Sequence, residues 1–316
     1  MTANLLPLEH LTDADFQFLA AAVSPRPDAR DRIARLLRDG GEAIERALED
    51  GRTHQALQEG EAAQRISPYL LFAVLLHRHR VAERARAGEA PDGAEEPVPA
   101  APVAPPAETR APAGDPPCLM LDGPADGPAV RDGGPESPVR RLLESPWTIH
   151  YLAELLASFA YTPPGVAAFS LGGRQFRLPL AEVDLAALNK VALLAAEPER
   201  LSIYRRLGDL TLFLSSVAVK ADEGAGAAAR ERELEREGRR FYEYAAQHRG
   251  ATTTYLGRTL MDLSGHYAVA RSLLRRIVHQ ELPQVYPGGL DQMAARWGDT
   301  PQPGLVALSA PERPVE

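Results

Sequence analysis

Apolar residues recur every three or four positions through most of the chain, the spacing that places them on one face of an α-helix. The first such run opens at Thr12, which has the chemistry of an N-cap, with Asp15 three residues on and Leu11 and Phe16 placed to staple the first turn. Phe16, Leu19, Ala20 and Val23 are its expected buried side, and Ser24-Pro25 ends it. Residues 28–38 repeat the pattern through Ile33, Leu36 and Leu37 as far as Gly40-Gly41, and a third short helix runs through Ile44 and Leu48. Ser67-Pro68, Ser137-Pro138 and Ser145-Pro146 are three like start signals, a capping serine followed by a proline whose missing N–H costs nothing there. The helix from Pro68 is apolar nearly all round over residues 69–76 and arginine-rich over 77–86, so its first half is expected in the core and its second in solvent.

Further on, Trp147, Tyr151, Leu152, Leu155, Leu156 and Phe159 make a wide apolar helix face that ends near Thr162-Pro163-Pro164. Residues 166–178 change period and predict two short strands around a Gly172-Gly173 turn, with Phe169, Leu171, Phe176 and Leu178 available to one side. Helical spacing returns over 181–196, 199–219, 227–248 and 252–282, the last broken near Gly265, and is lost after Pro287. The segment 255–274, through Leu256-Gly257, Gly265, Tyr267 and Ala270, faintly resembles a single tetratricopeptide hairpin with one spacing off by a residue. No second copy follows, so an irregular helical bundle is expected rather than a solenoid.

Composition changes this picture at one place. Residues 88–138 hold 13 of the 28 prolines, seven glycines and none of the aromatics, with ten acidic and two basic side chains. A stretch of that kind cannot build a core and predicts a long disordered, acidic, Pro/Ala-rich linker. Its charge of −8 equals that of the whole chain, so the flanks are balanced, which argues against a nucleic-acid surface. The expected organisation is an N-terminal helical module over 1–87, the linker over 88–138, a C-terminal bundle over 139–286 and a mostly disordered tail over 287–316. The longest apolar run, residues 69–76, is well short of the ~20 needed to span a bilayer, and residues 1–16 do not have the pattern of a secretory signal. A cytoplasmic protein with no membrane contact is expected. Cys118 stands alone, which excludes an internal disulfide and a cysteine zinc site.

Candidate chemistry is sparse. No Gly-x-Ser-x-Gly elbow or phosphate loop is present, and Cys118 has no base placed beside it. Asp209 follows Gly208 and precedes an apolar turn, with Arg205 and Arg206 one helical turn back as partners, an arrangement suited either to a pocket floor or to an internal ion pair at a tight helix crossing. Trp147, Glu154, Tyr204, Arg205, Asp209, Tyr242 and His266 form the candidate pocket. The i,i+4 pairs His150/Glu154 and Asp262/His266 depart from the Glu-x-x-His spacing of di-iron bundles, and His77 and His79 diverge on their helix, so no metal ligands and no cofactor are assigned. The mixed charges of 230–240, Glu233 with Arg236 and Glu235 with Arg239, are expected to pair along a solvated face. Leu119-Met120-Leu121, an apolar island in the linker, is a candidate docking motif. The sequence therefore predicts an all-α, non-enzymatic regulatory or adaptor protein that acts through protein partners, with a ligand-binding or enzymatic helical bundle as the rival.

Overall fold

Thr12 caps the first helix as the spacing requires. Its hydroxyl accepts from the Asp15 N–H at 3.3 Å, and Asp15 Oδ2 accepts from the Thr12 N–H at 2.7 Å, closing a capping box at the head of α1 (Asp13–Val23). The other oxygen, Asp15 Oδ1, accepts from the Ser67 N–H at 2.7 Å. Ser67 in turn caps α6 (Pro68–Arg86) through the Leu70 N–H, so one buried carboxylate ties two helix starts together. The computed structural model describes residues 10–59, 62–88, 137–163, 166–171, 174–179, 184–218 and 225–298.

Between those two starts lie α2 (Pro27–Asp39), α3 (Gly41–Glu49), α4 (Gly51–Gln58) and α5 (Ala62–Arg65). All four pack against α1, and α3 and α4 also pack on α6, whose residues from Pro68 to His77 are all buried. On α2 Ala34 and Leu37 are buried and Ile33 packs against the core, as expected for Ile33 and Leu37, while Leu36 is 55% exposed. The arginine-rich half of α6 is not wholly in solvent either, because His77, Arg80 and Glu83 recur on one face and are buried.

α6 also packs along α7 (Pro138–Glu144) and α8 (Pro146–Ala160). The helices before and after residues 88–138 thus share a single hydrophobic core, in which Leu70, Leu71 and Leu75 lie with Leu143, Leu152 and Leu156. This packing runs across the boundary between the expected modules, 1–87 and 139–286. Residues 89–136, with Cys118, the Leu119-Met120-Leu121 island and most of the expected linker, lie outside the described residues, as do Gly172-Gly173 and 299–316.

The rest of the core is built on α10 (Glu197–Phe213) and α11 (Ala225–Gln247), each of which carries a glycine at a close contact. A methyl on Gly208 would sit 2.6 Å from the Tyr242 ring, and one on Gly238 would strike Tyr267 and Thr211. Gly208 makes room for Tyr242 of α11, and Gly238 for Thr211 of α10 and for Tyr267 beyond it, which lets the backbones approach closely. α10 runs on into a π-helical turn, Leu214–Ala218. α12 (Tyr255–Gly265) and α13 (Tyr267–Arg276) break near Gly265, and a second π-helical turn, Ile277–Glu281, leads to α14 (Leu282–Val285). A further helix, α15 (Gly289–Trp297), stands where the periodicity was expected to end; Trp297 meets Tyr161 edge-on at 5.9 Å, so tertiary contact orders it.

Val166–Leu171 (β1) and Arg174–Pro179 (β2) pair antiparallel, with Phe169 opposite Phe176. Beside them α9 (Leu185–Leu194) rests on α10. The fold is all-α in its architecture, and among the described residues no helix is long and apolar enough to cross a membrane.

Candidate functional site

Tyr151, Glu154 and Ser158 recur at helical spacing on α8 and meet Arg205, Arg206 and Asp209 of α10. Glu154 Oε1 accepts from Arg205 Nη2 at 2.8 Å, and Ser158 Oγ accepts from Arg206 Nη1 at 2.9 Å. Asp209 Oδ1 accepts two tyrosine hydroxyls, Tyr151 at 2.6 Å and Tyr242 at 3.1 Å. Arg205 also lies over the Tyr151 ring, 5.0 Å from its centroid. Burial pushes the Asp209 carboxyl up, against the pull of Arg205 and Arg206. Burial acts on Glu154 in the same sense, but there the charges of Arg205 and His10 prevail and hold it below the usual range.

Four of the seven candidate pocket residues, Glu154, Arg205, Asp209 and Tyr242, therefore come together. Their polar groups are turned on one another and on Tyr151. The other three lie elsewhere: Trp147 stacks on Tyr255 at 4.8 Å, Tyr204 packs against Phe241 and Tyr244, and the His266 ring sits 3.1 Å from the Asp262 carbonyl at the break between α12 and α13. An open cleft of about 420 Å³ along α11 has none of the seven in its lining, which is Arg232, Glu235, Arg236, Arg239, Arg240 and Glu243 with Ser264 of α12. The charges of 230–240 also pair differently from expectation, because Glu231 and Glu235 reach across to Arg271 and Arg275 of α13.

A second polar cluster lies where α3, α6 and α8 meet. Neither pair of i,i+4 ligands considered from the sequence takes part as a pair: His150 turns from Glu154 toward the N-terminal helices. Its Nδ1 is 2.7 Å from the Tyr69 hydroxyl and its Nε2 is 2.5 Å from Glu45 Oε1. Glu45 Oε2 accepts from Arg80 Nη2 at 2.9 Å, and Arg80 also holds Glu49. His77 Nε2 stands 3.8 Å from Glu45 Oε2, too far for a hydrogen bond. His77 is fully buried, and neither of its ring nitrogens has a hydrogen-bond partner among the described residues. His79 diverges as its spacing requires and meets Glu281 at 2.7 Å.

The electrostatics of this cluster are those of a desolvated carboxylate among donors. Burial opposes the charge on Glu45, but the hydrogen bond from His150 and the charge of Arg80 hold its carboxyl below the usual carboxylate range. Burial, helped by Arg80, His150 and His54 and opposed by Glu45, pushes His77 well below the ordinary imidazole range, which keeps the ring neutral. One ligand-capable atom from each of Glu45, His77 and His150 lies within 4.8 Å of the other two. Sequence reasoning missed this grouping because its members come from three helices separated by long stretches of chain. The legible signal was His77, a polar side chain following directly on the apolar run of α6.

No protein-family model, no curated protein and no solved structure matches this chain.

Proposed function

We propose that this is a non-enzymatic, cytoplasmic regulatory or adaptor protein that works by binding a protein partner, and that α9 carries the contact. The supporting observation is the exposure of α9 itself. Its sequence, LAALNKVALL, holds one charged residue, yet only Ala192 is buried. Leu193 is 58% exposed and Leu194 87%. Apolar side chains grouped on one helix are costly to leave in water, and such groups mark contact surfaces. The rival, a ligand-binding or enzymatic bundle with its pocket in the C-terminal segment, is weakened because Glu154, Arg205, Asp209 and Tyr242 engage one another instead of facing a cavity.

A photoreactive residue placed at position 194, activated in cells, tests this reading. A discrete cross-linked protein, lost when Leu193 is replaced by Ser, supports it. Absence of any adduct, with the purified chain monomeric by light scattering at all concentrations, overturns it. Leu193→Ser changes the melting temperature little, because the side chain is already in solvent.

A further inference from the structure

We propose that Glu45, His77 and His150 bind a divalent transition metal of the zinc class, with Tyr69 orienting one of the two imidazoles. The proposal starts from His77. A fully buried imidazole with both nitrogens unpartnered among the described residues is rare in a folded protein, since each nitrogen has given up water for nothing. Packing does not require the ring to be polar there: a Leu or Met would fill the same region of α6, whose preceding residues are all apolar. A metal dication accounts for the ring, because it uses the lone pair that the protein leaves unused.

The geometry fits such an ion. Zinc bonds of ~2.0–2.1 Å in a tetrahedral arrangement set neighbouring ligand atoms about 3.3 Å apart. His150 Nε2 and Glu45 Oε1 stand 2.5 Å apart, closer than that value, and one ligand atom of each of the three residues lies within 4.8 Å of the other two, so the set spans the required separation. Adjustments of up to about 1.5 Å, within the reach of side-chain torsions, bring the three atoms into position. The surroundings are also those of a ligand set. With Nε2 as the ligand, His150 donates its Nδ1–H to the Tyr69 oxygen at 2.7 Å, the outer contact that fixes the tautomer and orientation of a metal-bound histidine. Arg80 holds Glu45 Oε2 and leaves Oε1 to turn toward the ion, while its own charge is shared with Glu49.

The donor set selects the class of metal. Two imidazoles and one carboxylate oxygen suit zinc, cobalt or ferrous iron, whereas magnesium and calcium require mostly oxygen ligands. Three protein ligands leave a fourth position to water. Access is through Glu45, whose side chain is 18% exposed, against 4% for His150 and none for His77. Because the ligands come from α3, α6 and α8, a bound ion joins helices on both sides of residues 88–138.

The test uses the full chain, stripped with chelator and titrated with Zn(II) and separately with Co(II). One zinc per chain is expected, with a Co(II) absorption of four-coordinate type and no displacement by excess Mg(II). His77→Gln weakens zinc binding by roughly a hundredfold or more, and Tyr69→Phe, which keeps all three ligands, weakens it about 10–100-fold. His266→Gln, at the far break between α12 and α13, leaves binding unchanged. Should His77→Gln not fold, Tyr69→Phe and the Co(II) spectrum of the unaltered chain decide the matter. The proposal is overturned if the unaltered chain takes up less than one zinc, if Co(II) remains six-coordinate, or if His77→Gln or Tyr69→Phe binds zinc as tightly as the unaltered chain.

Discussion

Asp209 shows how a single buried group is held. It stands 4% exposed, accepts from Tyr151 and Tyr242, and lies in the field of Arg205 and Arg206. Asp209→Ala removes the acceptor of two buried hydroxyls together with a charge that balances two guanidinium groups, and should cost about 3–5 kcal/mol in urea unfolding. Asp209→Asn keeps an acceptor oxygen and should cost about 1–2 kcal/mol. Equal losses from both variants would show that charge alone matters at this position. Glu154 and Asp209 also make opposite contributions to the pH dependence of stability. The folded-state pKa of Glu154 lies below its unfolded value near 4.5, so its stabilisation is complete above that pH and is lost as the pH falls through the folded value. Asp209 is raised in the folded state, so its contribution is present below about 3.8 and is lost as the pH rises through the folded value. Glu154→Gln should therefore flatten the acid limb of stability against pH, where a full proton is worth about 1.4 kcal/mol per pH unit. Urea midpoints between pH 6 and pH 3 check this, and an unchanged slope in the variant would refute it.

At the scale of elements, helix starts were the most legible feature, because capping is a local reaction between a side chain and the next two or three N–H groups. Thr12 and Ser67 cap as their neighbours in sequence require, whereas Ser137 and Ser145 stand at the expected helix starts without a side-chain cap bond. The helix break near Gly265 was legible for the same reason. Which face a helix buries was less so. Ile33, Leu36 and Leu37 offered two overlapping faces on α2, and contact with α1 chose the one through Ala34 and Leu37. On α6 the arginines suggested solvent, but Glu45 and Glu49 of α3 supply acids to Arg80, so that side chain is buried at an ion pair. The helix α15 has a weak pattern of its own and depends on contacts such as Trp297 with Tyr161. Local sequence does not encode the surface that orders it.

At the scale of the molecule, the composition of residues 88–138 and the shared core of the flanks together make one prediction. Limited proteolysis should cut first within residues 89–136, since that stretch lacks apolar periodicity, and the two fragments should remain associated after cleavage because α6 is packed on α7 and α8. Co-elution of the nicked fragments on size exclusion, with aggregation of each when expressed alone, is the expected outcome. Two fragments that separate and stay folded would restore the two-module organisation read from the sequence. In the intact chain α6 links the two sides, with α3 and α4 packed on it from the N-terminal side and α7 and α8 from the other.

The sequence by itself determined the helical class, most helix starts, the absence of any familiar catalytic motif and the singular composition of 88–138, because each of these is written within a few consecutive residues. It also made Asp209 and its arginines conspicuous. Only the tertiary structure decided that Asp209 takes its hydrogen bonds from tyrosines on two other helices, that Glu154 is the carboxylate bonded to Arg205, and that Glu45, His77 and His150 come within reach of one another. Those groupings depend on which helix faces which. That is set by the fit of bulky side chains against small ones, as at Gly208 under Tyr242, and a periodic pattern along one helix carries no record of the surface it will meet.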